Sequence, residues 1–86
     1  MVEIQPSARK HGVGDADVRH AIEHALVVAD SDEDPDKVLY LGPDRAGNFL
    51  EVIAIARDDK VDLVIHAMRM RSSYRPLLRG SGEADD

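Results

Sequence analysis

The chain has 86 residues, a length that allows one small domain around one hydrophobic core. Hydrophobic residues make up 43% of it and charged residues 33%, which is typical of a folded globular protein, and the lack of cysteine excludes disulfides and thiolate zinc sites. The formal net charge of -6 argues against nucleic-acid binding by the whole surface, and no signal peptide or membrane-spanning run is recognisable. We therefore predict a cytoplasmic protein with no membrane role, with a single domain at residues 1–79 and a disordered acidic tail at residues 80–86.

The N-terminal third of the chain predicts two helices. A short helix or turn begins at Pro6 and ends at the glycines that follow it. Asp15 is a typical helix N-cap, and apolar residues recur after it at helical spacing, so a second helix is predicted from about Ala16 to Leu26. A short strand can follow over residues 26–29, before the acidic run DSDEDPD, which we predict to be a loop.

Three strands are predicted in the rest of the chain. The first is Lys37 to Leu41, and the turn formers of GPDRAGN join it to the second, Phe49 to Ala56. Both faces of this second strand are apolar apart from Glu51, which is typical of a central strand. The turn RDDK leads into the third strand, Val61 to about Met70. This order predicts an α+β domain in which two N-terminal helices pack on one face of an antiparallel β-meander of three or four strands.

A basic segment closes this acidic chain. The residues from Val64 to Arg79 include four arginines and one histidine and no carboxylate. Three more basic side chains, those of Arg9, Lys10 and His11, lie near the N-terminus, and a fold that brings both groups together would form one positive patch. Alternatively, the arginines pair with the acidic run on the surface, although exposed ion pairs contribute only about 0 to 1 kcal/mol each.

Two stretches, RKHGVGDADVRHAI and the closing IHAMRMR with a tyrosine after it, resemble BrnT-type toxins of bacterial type II toxin-antitoxin modules. The resemblance runs from Ser7 to about Leu78. It implies a RelE-like ribonuclease fold and a toxin that cleaves mRNA, free or bound to the ribosome. It also implies a partner antitoxin, commonly a small DNA-binding protein, that holds the toxin in check. The residues that carry it are Lys10, His11, Gly12, Val13, Ala67 and Arg69.

The chain also departs from that family's pattern at both ends. Only six residues precede Ser7, so we expect the family's N-terminal strand and longer first helix to be missing. Pro76 falls where those toxins usually carry a charged terminal helix, and we expect only one helical turn or an extended segment there.

Metal-free RNA cleavage requires a base for the ribose 2′-OH, an acid for the leaving oxygen and donors for the charge on the phosphate. Histidine titrates near neutral pH and can act as acid or base, whereas guanidinium and ammonium groups bind phosphate. We therefore predict a catalytic site without metal or cofactor, formed by Lys10, His11, His66, Arg69 and Arg71. The residues predicted to bind RNA beside it are Arg9, Tyr74 and Arg75.

Strand alternation places Arg69 and Arg71 on one face of the last strand and His66 on the other. A bend or bulge near Ala67 would bring the two groups together. Without one, they have different roles, and His66 is a structural residue of an apolar strand. A non-catalytic module that uses the same basic strand to bind protein or nucleic acid is therefore the alternative function.

Two metal patterns occur in the chain, and neither predicts a metal site. The sequence from His20 to His24 matches H-x-x-E-H, the inverted zincin signature, but the chain is too short for that fold and its distal ligand. The acidic run begins like a calcium loop, but Pro35 takes the place of the required glycine and Leu41 that of the closing glutamate.

Overall fold

A computed structural model describes residues 2–30, 36–56 and 62–80. The predicted turn RDDK, most of the acidic loop and residues 81–86 of the predicted tail lie outside the described residues. Within the described part, 3-10 helices at Pro6–Arg9 and Ser72–Tyr74 accompany five strands and two α-helices. These are β1 (Val2–Ile4), α1 (Asp15–Glu23), β2 (Val27–Asp30), β3 (Lys37–Pro43), β4 (Phe49–Ile55), β5 (Asp62–Arg69) and α2 (Arg75–Gly80).

The strands form one mixed sheet in the order β1-β5-β4-β3-β2. Strands β2 to β5 are antiparallel neighbours, as the predicted meander requires, and β4 lies at the centre. Strand β1 pairs in parallel with β5 and closes the other edge, with Ile4 opposite Val64.

The predicted arrangement of two N-terminal helices on an antiparallel sheet of three or four strands is therefore wrong. The sheet has five strands and is mixed, and only one α-helix, α1, lies in the N-terminal part of the described chain. The expectation that an N-terminal strand is missing is also wrong, because β1 supplies one. Three residues are too few to show a period, and their partner is about 60 residues away in sequence, so no local pattern marks β1 as a strand.

Helix α1 packs on one face of the sheet over β3 and β4. Val18 and Ala21 of the helix are buried in the core cluster with Leu50 and Val52 of β4. Gly42 permits this close packing, because a Cβ at that position would collide with the carbonyl oxygen of Ala21. The core therefore lies between α1 and the sheet, on the face to which even-numbered residues of β4 point.

A bulge interrupts β5 opposite β4. Ile53 pairs with His66 and Ala54 pairs with Val64, so Ile65 is an extra residue with no partner of its own on β4. The bulge allows both Val64 and Ala67 to enter the core, although they are three positions apart and a regular strand would place them on opposite faces. The N-terminal segment holds the bulge, because the Ser7 hydroxyl donates to the Ile65 carbonyl oxygen at 3.1 Å.

The C-terminal segment is helical despite its proline. Pro76 lies in the first turn of α2, where its missing N–H is not needed, and the helix continues to Gly80. No helix in the described parts of the chain is long and apolar enough to cross a membrane.

Candidate functional site

Glu51 lies on the central strand and its side chain is fully buried, with 0% exposure. Its neighbours Leu50 and Val52 point into the core, so the Glu51 side chain lies on the opposite face of the sheet. Arg71 donates to it three times: the backbone N–H and Nε to Oε1, each at 3.0 Å, and Nη2 to Oε2 at 2.9 Å. His66 Nε2 lies 3.0 Å from Oε2. Both oxygens of this buried carboxylate are therefore satisfied.

These contacts decide the ionisation state of Glu51. Burial by itself raises the pKa of this carboxyl group, but the hydrogen bonds from Arg71 and His66 outweigh it, and the pKa of Glu51 is lowered. The carboxylate in turn raises the pKa of Arg71. Glu51 is therefore an anion held between a guanidinium and an imidazole.

The bulge and the end of β5 bring Arg71 and His66 to Glu51. His66 pairs with Ile53, which lies two residues from Glu51 on the same face of β4. Arg71 lies beyond the end of β5, where strand alternation no longer applies, and its backbone N–H turns toward the carboxylate. The bulge considered from the sequence thus exists, and His66 and Arg71 share a carboxylate.

The rings of His11 and His66 are in contact. Their centroids are 5.8 Å apart and their planes meet at 76°, an edge-to-face arrangement. Because an ionised carboxylate only accepts hydrogen bonds, Nε2 of His66 carries the hydrogen, and Nδ1 is the nitrogen that can accept a proton. The His66 side chain is 24% exposed and His11 lies on the surface, so a solute can reach both rings.

Arg71 retains donors for a further partner. Its side chain is 57% exposed, and Glu51 occupies two of the five N–H groups of its guanidinium. The guanidinium carbon lies 5.7 Å from the centre of the Tyr74 ring, a cation–π distance. We call these five residues the Glu51 cluster: His11, Glu51, His66, Arg71 and Tyr74.

The other predicted site residues lie apart from this cluster. Arg9 makes a two-pronged ion pair with Asp15 on the protein surface, at 2.7 and 2.9 Å. Lys10 is exposed beside His11 at the end of the first 3-10 helix. Arg69 and Arg75 instead line a depression between the β3–β4 turn and α2. Four of the eight predicted residues thus lie in the Glu51 cluster and two in the depression, and Arg9 and Lys10 lie at the end of the first 3-10 helix.

His20 and His24 do not form a ready metal site. Nδ1 of His20 donates to the Pro43 carbonyl oxygen at 2.8 Å, and Nδ1 of His24 donates to the His20 carbonyl oxygen at 3.0 Å. The two rings are stacked, with centroids 4.1 Å apart and planes 21° apart. A metal ion lies about 2.0–2.1 Å from the nitrogen of each imidazole that binds it, and in the plane of that ring. Because the planes of these two rings are nearly parallel, no position that close to both nitrogens lies in both planes. In the described residues, no group of three or more potential ligand side chains converges on a metal position.

Glu51 is the residue that reasoning from the sequence missed. It is the single charged residue in the apolar strand from Phe49 to Ala56, and a charge at such a position is rarely buried without a partner. That signal was available from the sequence, whereas the identity of its partners was not.

Comparison with protein-family models, with curated proteins and with solved structures finds no match to this chain. A function for the chain therefore rests on the geometry of the Glu51 cluster and on the resemblance of two sequence stretches to BrnT-type toxins.

Proposed function

We propose that this protein is a metal-independent endoribonuclease, acting as the toxin of a bacterial type II toxin-antitoxin module. The observation that carries the proposal is the contact between two imidazoles, His11 and His66, beside the exposed guanidinium of Arg71. Two imidazoles, each able to give or take a proton, and one guanidinium cation are the set that RNA cleavage through the ribose 2′-OH requires.

In the proposed reaction, His66 is the base and His11 the acid. Nδ1 of His66 takes the proton of the 2′-OH, the 2′-oxygen attacks the adjacent phosphorus, and the bond to the 5′-oxygen breaks. Protonated His11 gives its proton to that leaving oxygen. The products are a 2′,3′-cyclic phosphate and a 5′-hydroxyl end, and a proton exchange with water restores both rings.

Glu51 orients His66 rather than touching the RNA. Its carboxylate fixes the hydrogen on Nε2 and stabilises the imidazolium that forms during the reaction. Arg71 compensates part of the carboxylate charge, which limits that stabilisation, and the remaining N–H groups of Arg71 bind the phosphate. Lys10, next to His11, adds positive charge at the same end of the site.

A partner antitoxin, a small DNA-binding protein, would cover the Glu51 cluster until it is degraded, and the enzyme would act on mRNA in the cytoplasm.

Expression in a bacterium tests this proposal. We expect the unaltered chain to slow growth and to fragment cellular RNA, and we expect His11→Ala and His66→Ala to remove both effects. His24→Ala is the matched control, because it deletes an exposed imidazole outside the cluster and should behave like the unaltered chain. A harmless chain with intact RNA, or an active His66→Ala chain, would contradict the proposal.

A second candidate is a nucleic-acid-binding module without chemistry. The observation in its favour is that Arg71 and Glu51 already neutralise one another, which suits a structural clamp at the end of β5. In this case the protein would bind RNA and leave it intact, and the three histidine variants would bind RNA equally well.

A further inference from the structure

A depression of about 770 Å³ lies beside the Glu51 cluster, between the β3–β4 turn and α2. Its volume is within the range of about 300–1,000 Å³ that is common for small-molecule sites. The lining residues are Gly47, Asn48, Phe49, Arg69, Met70, Arg75 and Leu78.

The charge of this depression is opposite to that of the protein. Two arginines line it and, among the described residues, no acidic side chain does, although the chain carries a formal net charge of -6. Within the described part of the chain, no ion pair engages Arg69 or Arg75, in contrast to Arg9, Arg45 and Arg71. Exposed cations that are kept clear of acids favour an anionic ligand.

The depression also contains an aromatic ring in a chain that has very few. Tyr40, Phe49 and Tyr74 are the aromatic residues of the sequence, and Tyr40 packs against the core. The other two lie beside arginines, Phe49 in the depression and Tyr74 next to Arg71. An aromatic face beside guanidinium groups is the combination that binds single-stranded RNA, since the ring stacks on a base and the arginines hold phosphates.

We propose that this depression binds one nucleotide of single-stranded RNA, next to the nucleotide that is cleaved at the Glu51 cluster. The inference rests on the proposed function. Phe49 stacks on the base, and Arg69 and Arg75 bind a phosphate.

The position of the depression agrees with an adjacent nucleotide. Phe49 precedes Glu51 by two residues on β4, and the two side chains lie on the same face of the sheet. Two residues along a strand span about 6.6 Å, which is of the order of the spacing between neighbouring phosphates in an extended RNA strand. One RNA strand can therefore contact the depression and the Glu51 cluster together.

Binding of a 2′-O-methyl RNA octamer to the full chain tests the inference, because this probe lacks the nucleophile and cannot be cleaved. Fluorescence anisotropy over a series of salt concentrations gives the affinity and its salt dependence. We expect Arg69→Ala and Arg75→Ala each to reduce the slope of log K against log salt by about 0.7, and the double variant by about 1.4. Arg19→Ala, which removes the same charge from the exposed surface of α1, should leave the slope unchanged.

Phe49→Leu tests the stacking contact, since leucine keeps an apolar side chain without an aromatic face. We expect at least about a five-fold loss of affinity with an unchanged salt slope. Equal slopes for the arginine variants and Arg19→Ala would overturn the inference, as would a poly-glutamate peptide that binds as tightly as the RNA. If the chain binds the octamer in this way but leaves unmodified RNA intact, the proposed cleavage fails and the nucleotide site stands.

Discussion

At the scale of the residue, the Glu51 cluster depends on one buried carboxylate. A charge removed from water is strongly unfavourable unless its oxygens are hydrogen-bonded, and Glu51 receives all of its bonds from the strand end that carries the proposed chemistry. The same contacts that satisfy Glu51 therefore position His66 and Arg71. Sequence reasoning identified both of these residues as site candidates, but it could not identify their common partner, because Glu51 lies 15 and 20 residues away from them on another strand.

Arg71→Ala should lower the free energy of unfolding clearly more than the loss of an exposed surface charge does, because it leaves the buried Glu51 without its main partner. Arg69→Ala is the matched control, since Arg69 is exposed at the same strand end and makes no ion pair in the described part of the chain; we expect a change within about 0.5 kcal/mol. Urea denaturation of the two variants makes the comparison. Equal losses would show that Glu51 does not depend on Arg71.

The lowered pKa of Glu51 predicts an acid-sensitive stability. The unfolded chain, in which the glutamate has its usual pKa of about 4.3, binds a proton more readily than the folded chain does. The contribution of Glu51 is therefore complete above that value and is lost as the pH falls through the lower pKa of the folded state. Urea unfolding between pH 7 and pH 3 measures this loss. Other carboxyl groups also titrate there, so we expect Glu51→Gln to flatten the decline in part, and an unchanged decline would contradict the assignment.

At the scale of the element, the sequence predicted the helices and strands whose hydrophobic period or turn residues are visible within a short stretch of the chain. Helix α1 and strands β3 to β5 form close to their expected positions, and residues 44–48 join β3 to β4 as a hairpin, whereas Gly42 and Pro43 of the predicted turn belong to β3. Helix α1 ends at Glu23, before the predicted Leu26, because residues 24–26 turn the chain toward β2. The sequence shows no period for β1, since its pairing with β5 depends on contacts across the whole chain.

At Gly42 the backbones of α1 and β3 lie close together, so Gly42→Ala should be destabilising. The added Cβ would meet the backbone of Ala21 and lie 2.9 Å from the Cα of Ala25, and backbone atoms cannot move aside like a flexible side chain. We expect a loss of about 1–3 kcal/mol in the free energy of unfolding. Gly14→Ala is the comparison, because its nearest contact is a side-chain oxygen of Asp17 at 3.9 Å, and a cap substitution costs about 1 kcal/mol or less. Thermal unfolding of both variants measures the two losses of stability. A larger loss for Gly14→Ala than for Gly42→Ala would contradict this account.

At the scale of the whole molecule, β1 and the segment after it bring the N-terminal residues to β5. Strand β1 pairs with β5, the first 3-10 helix packs over the bulge, and His11 then reaches His66. The two ends of the described chain thus meet at β5. His11 joins the C-terminal basic residues there, as the predicted positive patch requires, whereas Arg9 forms an ion pair with Asp15. The pairing of β1 with β5, which no sequence pattern indicated, is therefore what brings His11 to His66.

Ile4→Ala tests this closure. Ile4 is 8% exposed in the core cluster, so its truncation should lower the free energy of unfolding by about 2–4 kcal/mol. Val28→Ala removes apolar atoms from a side chain that is 61% exposed at the other edge of the sheet, and we expect a change within about 0.5 kcal/mol. Similar losses at the two edges, measured by urea denaturation, would mean that β1 adds nothing specific to the fold.

The central claim is that His11 and His66 cleave RNA without a metal ion, and cleavage of an unmodified RNA oligonucleotide by the purified chain in excess EDTA tests it most directly. We predict fragments with 2′,3′-cyclic phosphate and 5′-hydroxyl ends, and a fall in rate of about 10²- to 10⁴-fold for either His11→Ala or His66→Ala, with His24→Ala unaffected. RNA that stays intact, cleavage that EDTA abolishes, or a His66→Ala chain with the full rate would contradict the account.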